Sequence, residues 1–351
     1  MSIQPMVEKL PYWLREEGEY SEIVISTRVR LARNLSDTPF VQRASEEELS
    51  EVMERAREAF LRLERFENFF YMDALDPIER QFLVERRLMS PEFAKNGKNR
   101  GLAVGEDEKF GIMVNEEDHF RIFSIVPGFN PEEAHEIVDD IDNFLSRELE
   151  IAFDNDFGYL TACPTNVGTG MRISVLVHLP ALVLTKEMDK VIRSLSQTGY
   201  FVRGLWGEGS RIQGNIFQIS NQRTLGVKEE DIIENMKRMV KEVMDYELNA
   251  REILIKNARS QIEDKIWRAW GILKYARMLS SEEVINLSSA VRLGIGLGFI
   301  TEISVLHLTR LLVLSLPAHL QLLVGREMEA EERDIKRAEF VRKTLGGKND
   351  G

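Results

Sequence analysis

Between residues 227 and 270 the chain contains neither glycine nor proline, whereas the residues before it are cut repeatedly by both. A stretch so long without a breaker belongs to helical structure. Upstream, β-rich runs at 23–26, 111–115, 120–126, 158–161, 172–178, 200–205 and 212–220 are separated by Gly, Asp, Asn or Pro turns. Several lie too close together for helical crossovers, so the spacing predicts a largely antiparallel sheet. Helical periodicity at 45–63, 131–150 and 186–197 would supply the flanking helices, the first opened by Ser45 and Glu48 in capping-box spacing. Past residue 270, segments at 281–293, 301–314 and 327–343 keep helical spacing, with a second box at Ser280 and Glu283. The expected fold is therefore α+β, an antiparallel sheet flanked by helices, followed by an all-α domain. The expected domains are 1–255 and 256–351.

Composition narrows the function. With 46 Lys+Arg against 58 Asp+Glu the net charge is −12, which opposes broad binding to a polyanionic nucleic acid. The single cysteine, Cys163, excludes an intrachain disulfide framework or a cysteine-rich zinc site and fits a reducing compartment. The first residues lack the pattern of a secretory signal, and the apolar segments at 171–185 and 311–325 are too short or interrupted for a span of about 20 residues. A cytoplasmic protein with no membrane partner is expected.

Three groups of residues offer chemistry. Arg28, Arg30, Arg121, Arg172 and Arg203 lie in or beside the β-rich runs, and Arg28 and Arg30, two apart, share one face of a strand. Such residues suit a solvated sheet face. Together they also suit a triphosphate, because guanidinium groups stay charged and grip phosphate oxygens through forked N–H donors. No Walker A or kinase glycine-rich loop accompanies them. Asn115-Glu116-Glu117-Asp118-His119 fits either a polar hairpin turn or a site that presents a carboxylate. Cys163 begins a Pro- and Gly-containing segment that leads into Arg172. A lone cysteine is commonly a small core residue, but beside a guanidinium a thiolate is favoured.

Taken with Ser26-Thr27-Arg28-Val29-Arg30, Asn115 to His119, Cys163 to Arg172, and Arg203-Gly204-Leu205-Trp206-Gly207-Glu208, the chain resembles the phosphagen (guanidino) kinases. Creatine and arginine kinases place a helical domain of about a hundred residues before these motifs, whereas here Ser26 comes almost at once and helical sequence follows. This arrangement is similar, over essentially the whole chain, to the bacterial protein-arginine kinase branch. The likeness includes Arg333-Asp334-Ile335-Lys336-Arg337-Ala338, which matches that branch's phosphoarginine-binding motif. One departure is Glu85-Arg86-Arg87-Leu88, with Arg87 where the branch typically has His.

The resemblance implies ATP-dependent phosphorylation of arginine side chains in proteins, with ATP and Mg²⁺ and no metal held by the protein. It implies Glu117 as the base, Glu208 as a second anionic contact to the substrate guanidinium, and Cys163 near the same nitrogen. ATP would be bound by Ser26, Thr27, Arg28, Val29, Arg30, Arg87, Arg121, Arg172, Ile173, Ser174, Val175, Leu176 and the segment Arg203, Gly204, Leu205, Trp206, Gly207, Glu208. Arg333, Asp334, Arg337 and Ala338 would form an allosteric phosphoarginine site. The implied partners are protein substrates including a basic transcriptional repressor of stress genes, a zinc-binding activator protein and a Clp ATPase/protease that degrades marked proteins. Apolar residues in 293–323 favour a homodimer. The alternatives are a small-molecule guanidino kinase and a non-enzymatic phosphoarginine-binding adaptor.

Overall fold

A computed structural model describes residues 3–63, 65–205 and 212–346. Eight strands form one antiparallel sheet: β1 (Val24–Arg33), β2 (Phe66–Tyr71), β3 (Gly101–Gly105), β4 (Phe110–Val114), β5 (Phe120–Pro127), β8 (Met171–His178), β9 (Tyr200–Arg203) and β10 (Ile216–Asn221). Their order is β2-β3-β4-β5-β1-β8-β10-β9, so β1 lies inside the sheet between β5 and β8. A two-stranded hairpin, β6 (Phe153–Asp154) with β7 (Gly158–Tyr159), stands apart from it.

Strand alternation gives the sheet two unlike faces. On one, Val29 aligns with Ile173 and Leu31 with Ile122, and these four, with Val175, are buried in one core with Ile137, Val138 and Ile141 of helix α5 (Pro131–Glu148). Each side chain buried there contributes about 1.5–3 kcal/mol. On the other face, Arg28 and Arg30 lie across from Ile125 and Phe123, and Arg30 also faces Arg172. A second core, including Phe123, Met113, Leu176 and Leu205, surrounds those charged groups.

The N-terminal helices are α1 (Gln4–Glu8), α2 (Glu46–Arg62), α3 (Pro77–Glu85) and α4 (Pro91–Lys95); α6 (Pro180–Leu184) and α7 (Met188–Gln197) follow α5. Ser45 and Glu48 form the expected capping box at the start of α2. The helix stops at Arg62, and the following Phe66–Tyr71 enters the sheet as β2. Its aromatic content suits a pleated, partly buried surface. β3 also lacks a sequence signal because it is bounded by glycines. At Gly105 a Cβ would meet the Phe110 ring at 2.2 Å, so close packing requires the missing side chain.

Helix α8 runs from Glu229 to Tyr275 with a non-helical residue at Ala258 (φ −146, ψ 31), and α9 (Ser281–Gly296), α10 (Val305–Leu314), α11 (Pro317–Val324) and α12 (Ala330–Thr344) complete the chain. The expected division at 255 thus falls within α8, just ahead of its irregularity. These last helices clasp the N-terminal segment. Arg292 donates to the carbonyls of Ser21 and Glu22, and Arg310 to those of Leu14 and Arg15. Glu85, at the end of α3, accepts from the backbone N–H groups of Ala318 and His319 at 3.0 and 2.9 Å. Most apolar residues of 293–323, among them Leu293, Leu308, Leu311 and Leu320, are interior, so they do not supply the exposed surface on which a dimer was expected. Among the described residues no single helix is long and apolar enough to cross a membrane.

Candidate functional site

The arginine face becomes a site because register brings four strands' guanidinium groups together. Arg28 and Arg30 come from β1, Arg121 from β5, Arg172 from β8 and Arg203 from β9; Arg203 lies opposite Gln218 of β10. Arg28 stacks over Phe123 at 4.6 Å from the ring centroid. The buried Nε atoms of Arg28, Arg30 and Arg172 have no hydrogen-bond partner among the described residues, and neither does the hydroxyl of Ser174. Burial, and then mutual repulsion, pushes three of these groups below the ordinary arginine range. For Arg28 the repelling neighbours are Arg87 and Arg121; for Arg30 they are Arg121, Arg28 and Arg172; for Arg172 they are Arg121 and Arg203. An anion with several oxygens would supply both the missing acceptors and the missing charge.

Arg121 differs. Burial opposes its charge, but Glu116, Glu117 and Asp118 outweigh it and its pKa is raised; Glu116 forms a direct ion pair with it. Glu116 also accepts from Ser90 Oγ at 2.8 Å, while Ser90 caps α4 by accepting from Phe93 N. The turn that carries Glu116 is held at both ends. Asn115 adopts a left-handed conformation (φ 59) and donates its amide to the carbonyls of Leu49 and Asn99. Asp118 accepts from Asn34 and from Ala162 N, both at 2.7 Å. His119 Nδ1 accepts from Leu35 N, so Nε2 carries the proton shared with the Pro39 carbonyl. Four of the five residues are thereby anchored. Glu117 has no side-chain hydrogen bond among the described residues, and its carboxyl is raised by partial burial and then by Asp118.

Two clefts meet at the arginines. The first, about 490 Å³, is lined by Arg28, Arg30, Arg87, Ser90, Lys95, Glu116, Arg121, Arg203, Leu205 and Gln218, among others. The second, about 370 Å³, contains Glu117, Cys163, Thr165, Asn166 and Arg172, and shares Arg30, Arg121 and Arg203 with the first. Cys163 Sγ lies 3.1 Å from Thr165 Oγ1, and Arg172 donates to Asn166 at 3.2 Å. Arg33, on the opposite face of β1, fixes this loop from beneath: it pairs with Asp142 of α5, donates to Thr169 O and lies 3.4 Å over the Tyr159 ring. The arrangement offers a polyanion site and a carboxylate-bearing site for a cation, in contact through charged donors.

Other expected site residues are placed differently. Thr27 donates to Gly128 O, and Val29, Ile173 and Val175 point into the α5-side core. Leu176 is buried on the arginine face, and Ser26 accepts from the buried Arg87, whose pKa is lowered by burial to about 10. Gly204 is buried at the end of β9, with Leu205 at the first cleft. Trp206, Gly207 and Glu208 lie outside the described residues. Arg333, Asp334, Arg337 and Ala338 occupy α12, far along the chain from both clefts. There Arg337 is buried, donating to Ser315 O, Leu279 O and Asp334; Ala338 is buried, and Arg333 donates to Met328 O. Sequence reasoning missed Ser90, Lys95 and Gln218. Only tertiary packing brings α4 to the cleft, although Ser90-Pro91 does signal a helix start.

Residues 48–250 match the family model of the ATP:guanido phosphotransferase C-terminal catalytic domain, and residues 259–350 that of the protein-arginine kinase McsB C-terminal domain. The protein-arginine kinase of Halothermothrix orenii is 43% identical over 347 residues, covering 98% of this chain and 99% of that one. That of Symbiobacterium thermophilum is 46% identical over 339 residues, with 95% and 96% covered. Among solved structures, the duplicated taurocyamine kinase from Schistosoma mansoni, with bound transition state analog components, has a TM-score of 0.61 at 25% identity; the match covers 69% of this chain and 35% of that one. Lombricine kinase has a TM-score of 0.59 at 24% identity, with 68% and 71% covered, a likeness of fold.

Proposed function

The chain belongs to the ATP:guanido phosphotransferase family, and on that premise we propose that it is an ATP-dependent protein-arginine kinase. The observation that carries the reading is the junction of two clefts through Arg30, Arg121 and Arg203. ATP occupies the arginine-lined cleft, where the unpartnered donors of Arg28 and Arg30 take phosphate oxygens. Mg²⁺ would come with the nucleotide and neutralise part of its charge, and Glu116 would not be free to hold it, since it is already engaged by Arg121 and Ser90.

The acceptor is an arginine side chain whose guanidinium enters the second cleft. As a cation with delocalised lone pairs it is a poor nucleophile. Glu117 orients it and takes one N–H proton, which its raised pKa favours. The nitrogen then forms the N–P bond as the bond between the γ-phosphorus and the bridging oxygen breaks, yielding ADP, N-phosphoarginine and a proton. Arg30, Arg121 and Arg203 stabilise the charge on the phosphoryl group in transit. Cys163 lies beside the reacting nitrogen, and Glu208 is the second anionic contact we assign to it.

In α12, Arg333, Asp334, Arg337 and Ala338 are proposed as an allosteric phosphoarginine site. Arg337 would have to exchange its present partners to serve there. The division at 255, the cytoplasmic location, the repressor, activator and Clp partners, and the homodimer are likewise proposals. Exposed Tyr275 and Met278 support a dimer surface. Incubation with ATP and either a folded arginine-containing protein or free arginine tests the reading. Acid-labile phosphate on the protein is expected, whereas label that survives acid as phosphoserine does would sink it.

A further inference from the structure

Resting on that kinase reading, we infer that Ser90 is a positioning residue: its hydroxyl keeps the Glu116 carboxylate turned so that it grips Arg121 by one nitrogen only, leaving the rest of that guanidinium for the phosphoryl group in transit. The two oxygens of Glu116 have different partners. Oε1 accepts from Ser90 Oγ at 2.8 Å, and Oε2 accepts from Arg121 Nη1. Among the described residues no other hydrogen bond ties the Arg121 side chain. An arginine and a carboxylate otherwise favour a two-pronged pair, in which two parallel N–H groups meet both oxygens. The carboxyl group of a glutamate turns easily about its last bond, so the bond from Ser90 to Oε1 is what opposes that pairing. Arg121 is one of three arginines that line both clefts, and the direction of its remaining N–H groups therefore bears on the junction itself.

The hydroxyl stands on a fixed support. Ser90 is the N-cap of α4, accepting from Phe93 N at 3.1 Å, and its single proton goes to Glu116. Phe93 is buried in the second core, where Arg100 lies over its ring at 5.3 Å and donates to the carbonyls of Phe93 and Asn96, both at 3.3 Å. Arg80 of α3 adds a bond to the Ala94 carbonyl at 3.4 Å. On the opposite side, the backbone of Glu116 belongs to the turn that Asn115 and Asp118 anchor. Ser90 and Glu116 thus meet from two rigid pieces of chain. Burial opposes the charge of Glu116, but Arg121 and then the Ser90 hydroxyl outweigh it and hold the carboxyl below its ordinary range, so the group is the anion that this pairing requires.

A cap alone would make Ser90 a structural residue, and substitutions in the full chain separate the two roles. Glycine caps a helix nearly as well as serine, alanine does not, and both lack the hydroxyl. Ser90→Gly and Ser90→Ala should each lower kcat for transfer to a protein arginine about tenfold, the scale of one hydrogen bond to a charged group, with KM for ATP changed less than about twofold. Ser90→Thr, which keeps the hydroxyl, should restore the rate. In a Glu116→Gln background, where the charged pair is gone, Ser90→Gly should lower kcat by less than about a further twofold. Circular dichroism checks the fold of each variant. A wild-type kcat in Ser90→Gly, a loss confined to Ser90→Ala, or a tenfold loss that persists in the Glu116→Gln background would overturn the positioning role. Wild-type protein that phosphorylates no arginine would overturn the kinase reading and the role with it, an outcome distinct from active protein that is indifferent to Ser90.

Discussion

Glu117 is set apart from its neighbours by what they are bonded to. Asn115, Glu116, Asp118 and His119 each have side-chain partners that hold the turn, which leaves the Glu117 carboxyl for the cleft. Glu117→Gln should lower kcat by at least about a hundredfold, the usual scale for a lost general base, and leave ATP affinity intact by calorimetry. Transfer at the wild-type rate would remove the role assigned to it. Arg33 makes a different residue-scale case, because its paired charge is buried against Asp142. Asp142→Ala strands that guanidinium and should cost about 3–5 kcal/mol in denaturant unfolding. A loss under 1 kcal/mol would show that the pair is not needed to hold the loop.

Among the elements, α2 and α9 begin at sequence-visible capping boxes, and both boxes close in the structure. Ser45→Ala should therefore destabilise the protein by about 1 kcal/mol, read as a shift of the denaturation midpoint with unchanged slope. The strands were legible where apolar residues are β-branched and bounded by turns, as at β5 and β8. They were not legible at β2, which follows a helix without a breaker, or at β3, whose ends are glycine. The site shows the same division. Its arginines and acidic turn could be read from spacing, because strand alternation decides which side chains share a face. Ser90 and Lys95 could not, because nothing local to α4 indicates that it packs over the sheet. The buried state of Arg337 also escaped the sequence, since its acceptors, Leu279 O and Ser315 O, come from other segments.

At the scale of the whole molecule, the larger core runs from Val24 on the sheet through α8 to Val341 of α12 without a break. Calorimetry should accordingly show one cooperative transition for the full chain; two well-separated transitions would mean that the stretches before and after 255 fold independently. The contact of Glu85 with α11 adds a pH dependence. Burial pushes this carboxyl from 4.5 up to about 7, against the opposing effect of the Ala318 and His319 N–H groups. The folded state therefore binds a proton that the unfolded chain has released across that interval. The associated stability is fully present below about pH 4.5 and is lost as pH rises to about 7, on the order of 3 kcal/mol in all. Glu85→Gln should flatten this slope, and an unchanged slope in the variant would assign the dependence elsewhere.

The position of β1, hydrogen-bonded along both edges, also sets a hierarchy of motion. Its amides at Arg28 and Arg30 should exchange with deuterium only when the whole protein opens, whereas those of the loop from Cys163 to Gly170, held outside the sheet ladder by Arg33, Arg172, Thr224 and the bridge to Tyr159, should exchange through local opening. The nucleotide half of the centre would then behave as a fixed anvil, and the acceptor half as a surface that adjusts to the differing contours around each arginine brought to it.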